Sequence, residues 1–214
     1  MKHFLRNNHS DKLLLFFTGW GCDEYQFGHL KYDGDVLFLY NYNNLELDFD
    51  FSKYKEIIVM AYSAGVFISS VFPKRIPNVV KRIMIDGNPY LFDEKFGVPK
   101  NILTAFMEVD AKNCIDFRKK YLVSTHYEMM LFSQNEPHRD FDDCFRELLS
   151  LQKLYKTLKD KINPRYDKVI FGEKDPIFKP KIQKEFYKTD LKIVPDAKHN
   201  IFFRFKTFEE IIGI

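Results

Sequence analysis

The sequence predicts an α/β fold around a mostly parallel sheet. Short, unbroken apolar runs recur along the chain, and stretches of helical spacing or loop chemistry separate them. A long middle segment without such runs predicts a helical insertion. The 214 residues suit a single domain, 1–214, with one real core. Leu13 to Phe17 has no polar interruption, as expected of a strand covered on both faces, and stops at Thr18-Gly19-Trp20-Gly21. Asp35 to Tyr40 and Glu56 to Met60 repeat the pattern, the latter running into Ala61-Tyr62-Ser63-Ala64-Gly65. Lys81 to Ile85, Lys168 to Phe171 and Leu191 to Val194 complete six core strands, and Phe4-Leu5-Arg6 adds an edge strand.

Between Pro89 and Lys168 apolar residues recur instead at spacings of three and four. Asn101 to Ala111, Cys114 to Leu122, Thr125 to Phe132 and Phe141 to Leu158 are the expected helices, with a break at Asn135-Glu136-Pro137-His138. Four helices exceed the needs of one crossover, so residues 90–165 are expected to form a cap over the sheet. Helices on both sheet faces complete the picture.

Composition narrows the function. Hydrophobic residues make up 45% and charged residues 29%, which suggests neither disorder nor a fibrous repeat. Most of the 23 Phe are expected in the core, with some free to line an apolar pocket. The 33 basic and 30 acidic residues leave a formal charge of +3, too balanced for nucleic-acid binding through phosphate neutralisation. No apolar run approaches the ~18 residues of a spanning helix, and Met1-Lys2-His3-Phe4 lacks a secretory apolar stretch. A soluble cytoplasmic protein, without membrane attachment, is expected. Cys22, Cys114 and Cys144 form no close pair, which argues against a disulfide framework and against a zinc site.

Ser63 follows a strand and precedes the apolar segment Val66 to Phe72, which reads as a helix. A serine on such a sharp turn needs small residues two before and two after it, so that strand and helix can approach. Ala61 and Gly65 meet that demand, Ala61 standing where glycine is usual. The competing reading is a serine that caps an ordinary helix. A serine hydroxyl attacks an acyl carbon only when a base takes its proton and donors hold the oxyanion. The Gly-Trp-Gly loop before the serine strand supplies such donors, assigned to the backbone N–H groups of Trp20 and Ala64; the indole can also simply pack. His199 follows the last strand and precedes Asn200-Ile201-Phe202-Phe203, which reads as a final helix; that is where the base belongs, whereas His3, His9, His29, His126 and His138 lack that context. Pro137 to Asp143, with its His and acids, reads as a solvated acidic helix start and not as a metal site. Asp175, on a Gly/Pro-bounded turn after the penultimate strand, is the expected acid; Asp86 is the alternative, because it also ends a strand. Either could be ordinary turn chemistry. The order Ser63, Asp175, His199 is that of an α/β-hydrolase.

Phe17-Thr18-Gly19-Trp20-Gly21, Ala61-Tyr62-Ser63-Ala64-Gly65, Asp86-Gly87-Asn88-Pro89-Tyr90, Gly172-Glu173-Lys174-Asp175-Pro176-Ile177-Phe178 and Lys198-His199 together resemble the BioG-type pimeloyl-ACP methyl ester esterases. The resemblance spans nearly the whole chain, its Gly-Asn-Pro-Tyr segment being more specific than the serine turn, while the cap matches only in outline. It implies hydrolysis of the methyl ester of pimeloyl-acyl carrier protein, with release of methanol, in biotin formation. That chemistry needs no metal or organic cofactor. An acidic carrier protein would meet a basic rim; Arg118, Lys119, Lys120, Lys153, Lys156 and Lys159 are the docking candidates, although lysine on any helix can merely solvate its face. Trp20, Tyr62 and Phe132 are candidates for contact with the acyl chain. Two further readings stay open: a thioesterase or carboxylesterase acting on another acyl group, and a non-catalytic binding protein on the same fold.

Overall fold

The computed structural model describes residues 1–188 and 191–214. Its strands are β1 (Lys2–Arg6), β2 (Lys12–Phe17), β3 (Asp35–Tyr40), β4 (Glu56–Tyr62), β5 (Val79–Ile85), β6 (Lys168–Gly172) and β7 (Lys192–Val194). Among the described residues they make one seven-stranded sheet in the order β1-β3-β2-β4-β5-β6-β7. The edge strand β1 pairs antiparallel with β3, and the other pairs are parallel. The α/β class and the mostly parallel sheet are as the sequence predicts.

Both faces of the sheet are covered, which is why its strands carry no polar alternation. Leu13, Leu15 and Phe17 enter one core, with Leu37, Val59 and the helix α1 (Ala64–Val71). Leu14 and Phe16 enter the other, with Phe38, Phe202 and Phe208. Phe208 begins the last helix, α7 (Phe208–Gly213), so helical segments pack on both faces. Phe16, Phe27, Phe38 and Phe202 interlock in the second core at ring-centroid separations of 4.7 to 6.0 Å, and both cores draw on the phenylalanine excess.

A crossover between parallel strands usually carries a helix. The segment between β3 and β4 carries none: residues 41–55 are irregular, and the buried rings of Tyr42, Phe51 and Tyr54 cover the sheet there. Each tyrosine hydroxyl finds an acceptor, Tyr42 at Thr18 O and Leu39 O (both 2.8 Å) and Tyr54 at Asp35 Oδ2 (2.8 Å), as burial of a polar ring requires.

Residues 86–167 separate β5 from β6. They carry α2 (Lys100–Glu108), α3 (Cys114–Leu122), α4 (His126–Gln134) and α5 (Phe141–Leu158). Thr125 and Glu128 close a capping box on α4, and the Asp140 side chain caps α5, whose first turn holds Asp142 and Asp143. The His138 ring stacks on Tyr25 at 3.7 Å just before that cap. A further helix, α6 (Pro180–Tyr187), lies between β6 and β7. The segment expected as a final helix is a short 3-10 turn, Ile201–Arg204, followed by α7. No helix among the described residues is long and apolar enough to cross a membrane. All three cysteines are free and buried.

Register sets the site. Phe17 pairs with Ala61, Tyr62 with Ile85, Ile85 with Ile170 and Gly172 with Val194, which brings the carboxyl ends of β2, β4, β5, β6 and β7 to one edge of the sheet. In an open parallel sheet that edge is where ligands bind.

Candidate active site

At Ser63 the chain turns from β4 into α1 with φ 54° and ψ −122°, a left-handed backbone that costs a non-glycine residue about 1–3 kcal/mol. Neighbours hold it there: Ser63 N–H donates to Ile85 O (3.0 Å) and Val66 N–H donates to Ser63 O (3.0 Å). Gly65 makes the turn possible, since a Cβ there would collide with the carbonyl oxygens of Phe17 and Thr18. Ala61 is fully buried and its methyl is accommodated. The Ser63 side chain makes no cap bond to α1, which removes the helix-capping reading; its hydroxyl lies 2.9 Å from His199 Nε2.

His199 is 3% exposed and its Nδ1 lies 2.9 Å from Asp175 Oδ2. An ionised carboxylate only accepts, so Nδ1 carries the ring proton and Nε2 is left to accept from the Ser63 hydroxyl. Asp175 is held in turn: its Oδ1 accepts from Ile177 N–H (2.7 Å) and Phe178 N–H (3.1 Å). A side chain at Gly172 would collide with the Lys198 and Ala197 carbonyls, so this glycine lets the end of β6 press against the histidine loop. The cap holds that loop from the other side. His199 N–H and Asn200 N–H donate to Tyr121 O (3.4 Å) and Leu122 O (3.2 Å), carbonyls at the end of α3 with no partner inside their own helix.

Asp86 is wholly buried at the end of β5, and its Oδ1 accepts from Gly172 N–H at 2.7 Å. Its side chain meets Asp175 and not the histidine. Burial, followed by the charge of Asp175, pushes the Asp86 carboxyl well above the usual carboxylate range. A neutral Asp86 is poorly suited to stabilise an imidazolium.

The loop after β2 lies against the serine: a Cβ on Gly19 would stand 3.2 Å from Ser63 Cβ. Ala64 opens α1, where a helix has spare N–H groups. Gly21 adopts φ +68°, and its N–H donates to Glu147 Oε2 (2.9 Å) on α5. Glu147 also accepts from Tyr42 N–H (2.9 Å) and from Arg139 Nη1 (2.6 Å), and Arg139 binds Asp143. The Trp20 indole donates to Cys144 O (2.7 Å) and packs on Phe106 at 5.0 Å. A buried ionic network on the cap thus fixes the loop; the sequence carries no sign of this role for Glu147 and Arg139, because the backbone that Glu147 holds, at Gly21 and Tyr42, lies more than a hundred residues away.

A pocket opens onto Ser63 and His199 between sheet edge and cap. Trp20, Tyr62 and Ala64 line it, with Leu91, Phe106, Leu148, Leu151 and Ile177 among its apolar walls. Phe132 belongs elsewhere than expected: it is fully buried in a separate cluster with Leu122, Val123 and Phe203 and does not line the pocket. Arg118 also departs from its expected place on an exposed rim. It is 6% exposed and lines the pocket, because the helical turn that exposes Lys120 points residue 118 inward. Lys119 is mostly covered and engaged with Glu136 (3.3 Å). Lys120, Lys153, Lys156 and Lys159 are exposed; Lys153 borders a groove with residues 43–48 that shares no lining residue with the Ser63 pocket.

Comparison with known proteins adds a decisive observation. The family model described as pimeloyl-ACP methyl esterase BioG matches residues 1–211. The chain belongs to the BioG family. A relative from Bacteroides fragilis (strain 638R), a malonyl-[acyl-carrier protein] O-methyltransferase, is 30% identical over 175 residues, 80% of this chain but 36% of that protein, so the chain spans about a third of its length. An uncharacterized Haemophilus influenzae protein is 26% identical over 211 residues, 96% of each chain. Among solved structures, BioG from Haemophilus influenzae superposes with a TM-score of 0.83 at 24% identity, covering 98% of this chain and 99% of that one. A lipase-esterase related protein from Clostridium acetobutylicum gives 0.63 at 22% identity, covering 99% and 98%. These likenesses identify the fold as that of the α/β-hydrolases, and BioG membership rests on the family match.

Proposed function

We propose that this BioG protein is a serine carboxylesterase that cleaves the methyl ester of pimeloyl-acyl carrier protein to pimeloyl-acyl carrier protein and methanol. The observation that carries the reading is the unbroken relay from Ser63 Oγ through both nitrogens of His199 to Asp175, each link 2.9 Å, on a strained turn at the floor of an apolar pocket. Ser63 attacks the ester carbonyl while His199 Nε2 takes its proton, and Asp175 holds the tautomer and stabilises the imidazolium. The N–H groups of Trp20 and Ala64 receive the negative oxygen; one such donor contributes about 10²–10³ in rate in a comparable site. The imidazolium returns its proton to the departing methoxide, giving methanol. Water, activated by the same histidine, then attacks the acyl-enzyme, restores Ser63 and frees the acid. Every group this sequence requires is a side chain or backbone amide of the chain.

The methyl ester is supported by family membership and by the Bacteroides relative, whose name describes methyl transfer to an acyl-carrier protein substrate. A methyl ester installed on a carrier-bound acid calls for an enzyme that removes it. The carrier partner and a role in biotin formation follow from the same reading, with exposed Lys120, Lys153, Lys156 and Lys159 as the remaining docking candidates. Incubation with pimeloyl-ACP methyl ester should release methanol and free pimeloyl-ACP, and Ser63→Ala should release neither. Turnover of simple esters without this product would move the assignment to another acyl substrate, and failure of a fluorophosphonate to label Ser63 would favour a binding protein.

A further inference from the structure

The relay makes no use of one buried charge in its own pocket. Arg118 is the single permanently charged residue among those lining the cavity. Removing a guanidinium from water is unfavourable unless an anion or several acceptors replace the solvent. The carboxylates around it are committed elsewhere: Glu147 to Arg139, Gly21 and Tyr42, Asp143 to Arg139 and Asn41, and Asp23 to the backbone of Tyr25 and His138. Among the described residues Arg118 forms no ion pair. Its Nη2 donates to the neutral amide oxygen of Gln26 at 3.2 Å. Gln26 is itself fully buried, and its Nε2 has no acceptor. The guanidinium also packs on the loop beside the serine: a Cβ at Gly21 would lie 3.5 Å from Arg118 Cζ and 3.6 Å from Nη1.

We propose that Arg118, steadied by Gln26, forms an anion subsite in the Ser63 pocket that takes the carboxylate of an aliphatic acyl ligand. A charge and spare N–H groups lie at one place in a cavity whose other walls, including Leu91, Phe106 and Ile177, suit hydrocarbon. Such a site distinguishes acid from ester: a neutral ester meets a dipole there, whereas a carboxylate gains a charge-assisted hydrogen bond in a water-poor cavity. On the esterase reading, on which this role rests, the ligand is the product's new carboxylate, and the subsite makes the enzyme sensitive to its own acid product. The binding itself is independent of turnover.

Calorimetric titration of the full chain at neutral pH with hexanoate and with hexanamide, equal in length and different in charge, tests the subsite without any substrate. Wild-type protein should bind hexanoate at least roughly tenfold more tightly, the scale of one charge-assisted bond. Arg118→Met should abolish that preference and leave hexanamide binding within about twofold; Arg118→Lys should keep part of it, and serves as the probe if the methionine variant does not fold. Equal binding of the two ligands by wild-type protein overturns the proposal. So does a preference that survives Arg118→Met and disappears in His199→Gln, which would assign the anion to an imidazolium. Ester turnover failing while the preference stands would reject the esterase reading alone.

Discussion

The floor and the roof of the pocket are built by different means. The floor is backbone: Ser63, Asp175 and the loop at Gly19 sit where strands end, held by main-chain hydrogen bonds and by approaches at Gly65 and Gly172 that leave no room for a side chain. The roof is side chain: Arg139, Asp143 and Glu147 tie α5 to the Gly21 loop, and Phe106 packs α2 against Phe117 and Tyr121 of α3 at 5.2 and 5.9 Å. Steric limits on a backbone allow few residue types at a position, whereas a side-chain network can be assembled in many ways. The floor therefore constrains the chemistry and the roof leaves the ligand adjustable.

The sharpest test of the floor sets its two buried acids against each other. Asp175→Asn should lower kcat on an ester substrate by about 10⁴-fold, as losing the carboxylate behind a catalytic histidine does elsewhere, while Asp86→Asn should cost less than about tenfold. The opposite ranking would make Asp86 the working acid. On the roof, Glu147→Gln should leave Arg139 with less charge compensation in a buried site, where breaking such a pair costs about 3–5 kcal/mol of stability. Denaturant unfolding measures that loss, and a kcat reduced in the still-folded fraction would show that the network aims the loop; a variant with wild-type midpoint and rate would remove the network from the account. The smallest effect concerns protons. With the folded Asp86 carboxyl raised well above its unfolded value of about 3.9, the native chain binds one more proton than the unfolded chain over the intervening range. Its contribution to stability accordingly falls as pH rises above about 4. Asp86→Asn removes that slope, so its stability relative to wild type should improve from pH 5 to pH 8. Parallel curves would mean that Asp86 is ionised in the fold.

What could be read in advance follows the same division. The six core strands and four cap helices were visible because burial on both faces leaves unbroken apolar runs, and amphipathic helices leave spacings of three and four. The serine turn was legible through Gly65, which is a steric necessity. Other features were masked by brevity: Pro180 at the first turn of α6, and Thr207 with Glu210 boxing the start of α7, are helix signals on helices of eight and six residues, too short to sustain an apolar spacing of three and four. The helix anticipated after His199 is a single 3-10 turn, started by the Asn200 side chain, which accepts from Phe202 N–H, and ended at Phe205, whose backbone returns to extended geometry with its N–H on Phe202 O. Arg118 and Lys120 are two positions apart in a single basic run, and only the angle of α3 decides which one meets solvent. Phe132 fills a third cluster for the same reason: its aromatic character announces burial but not the neighbours it is buried with.

The thiols show one consequence of this dense packing. Cys22 borders the pocket, yet burial pushes the pKa of its thiol up to about 12, and burial likewise carries that of Cys144 to about 11. At neutral pH almost no thiolate exists at either position, and thiolate is the form that reacts with alkylating agents and peroxides. On the proposed reading, an electrophile entering the pocket meets the Ser63 hydroxyl beside an inert sulfur, so covalent capture falls on the serine and not on Cys22.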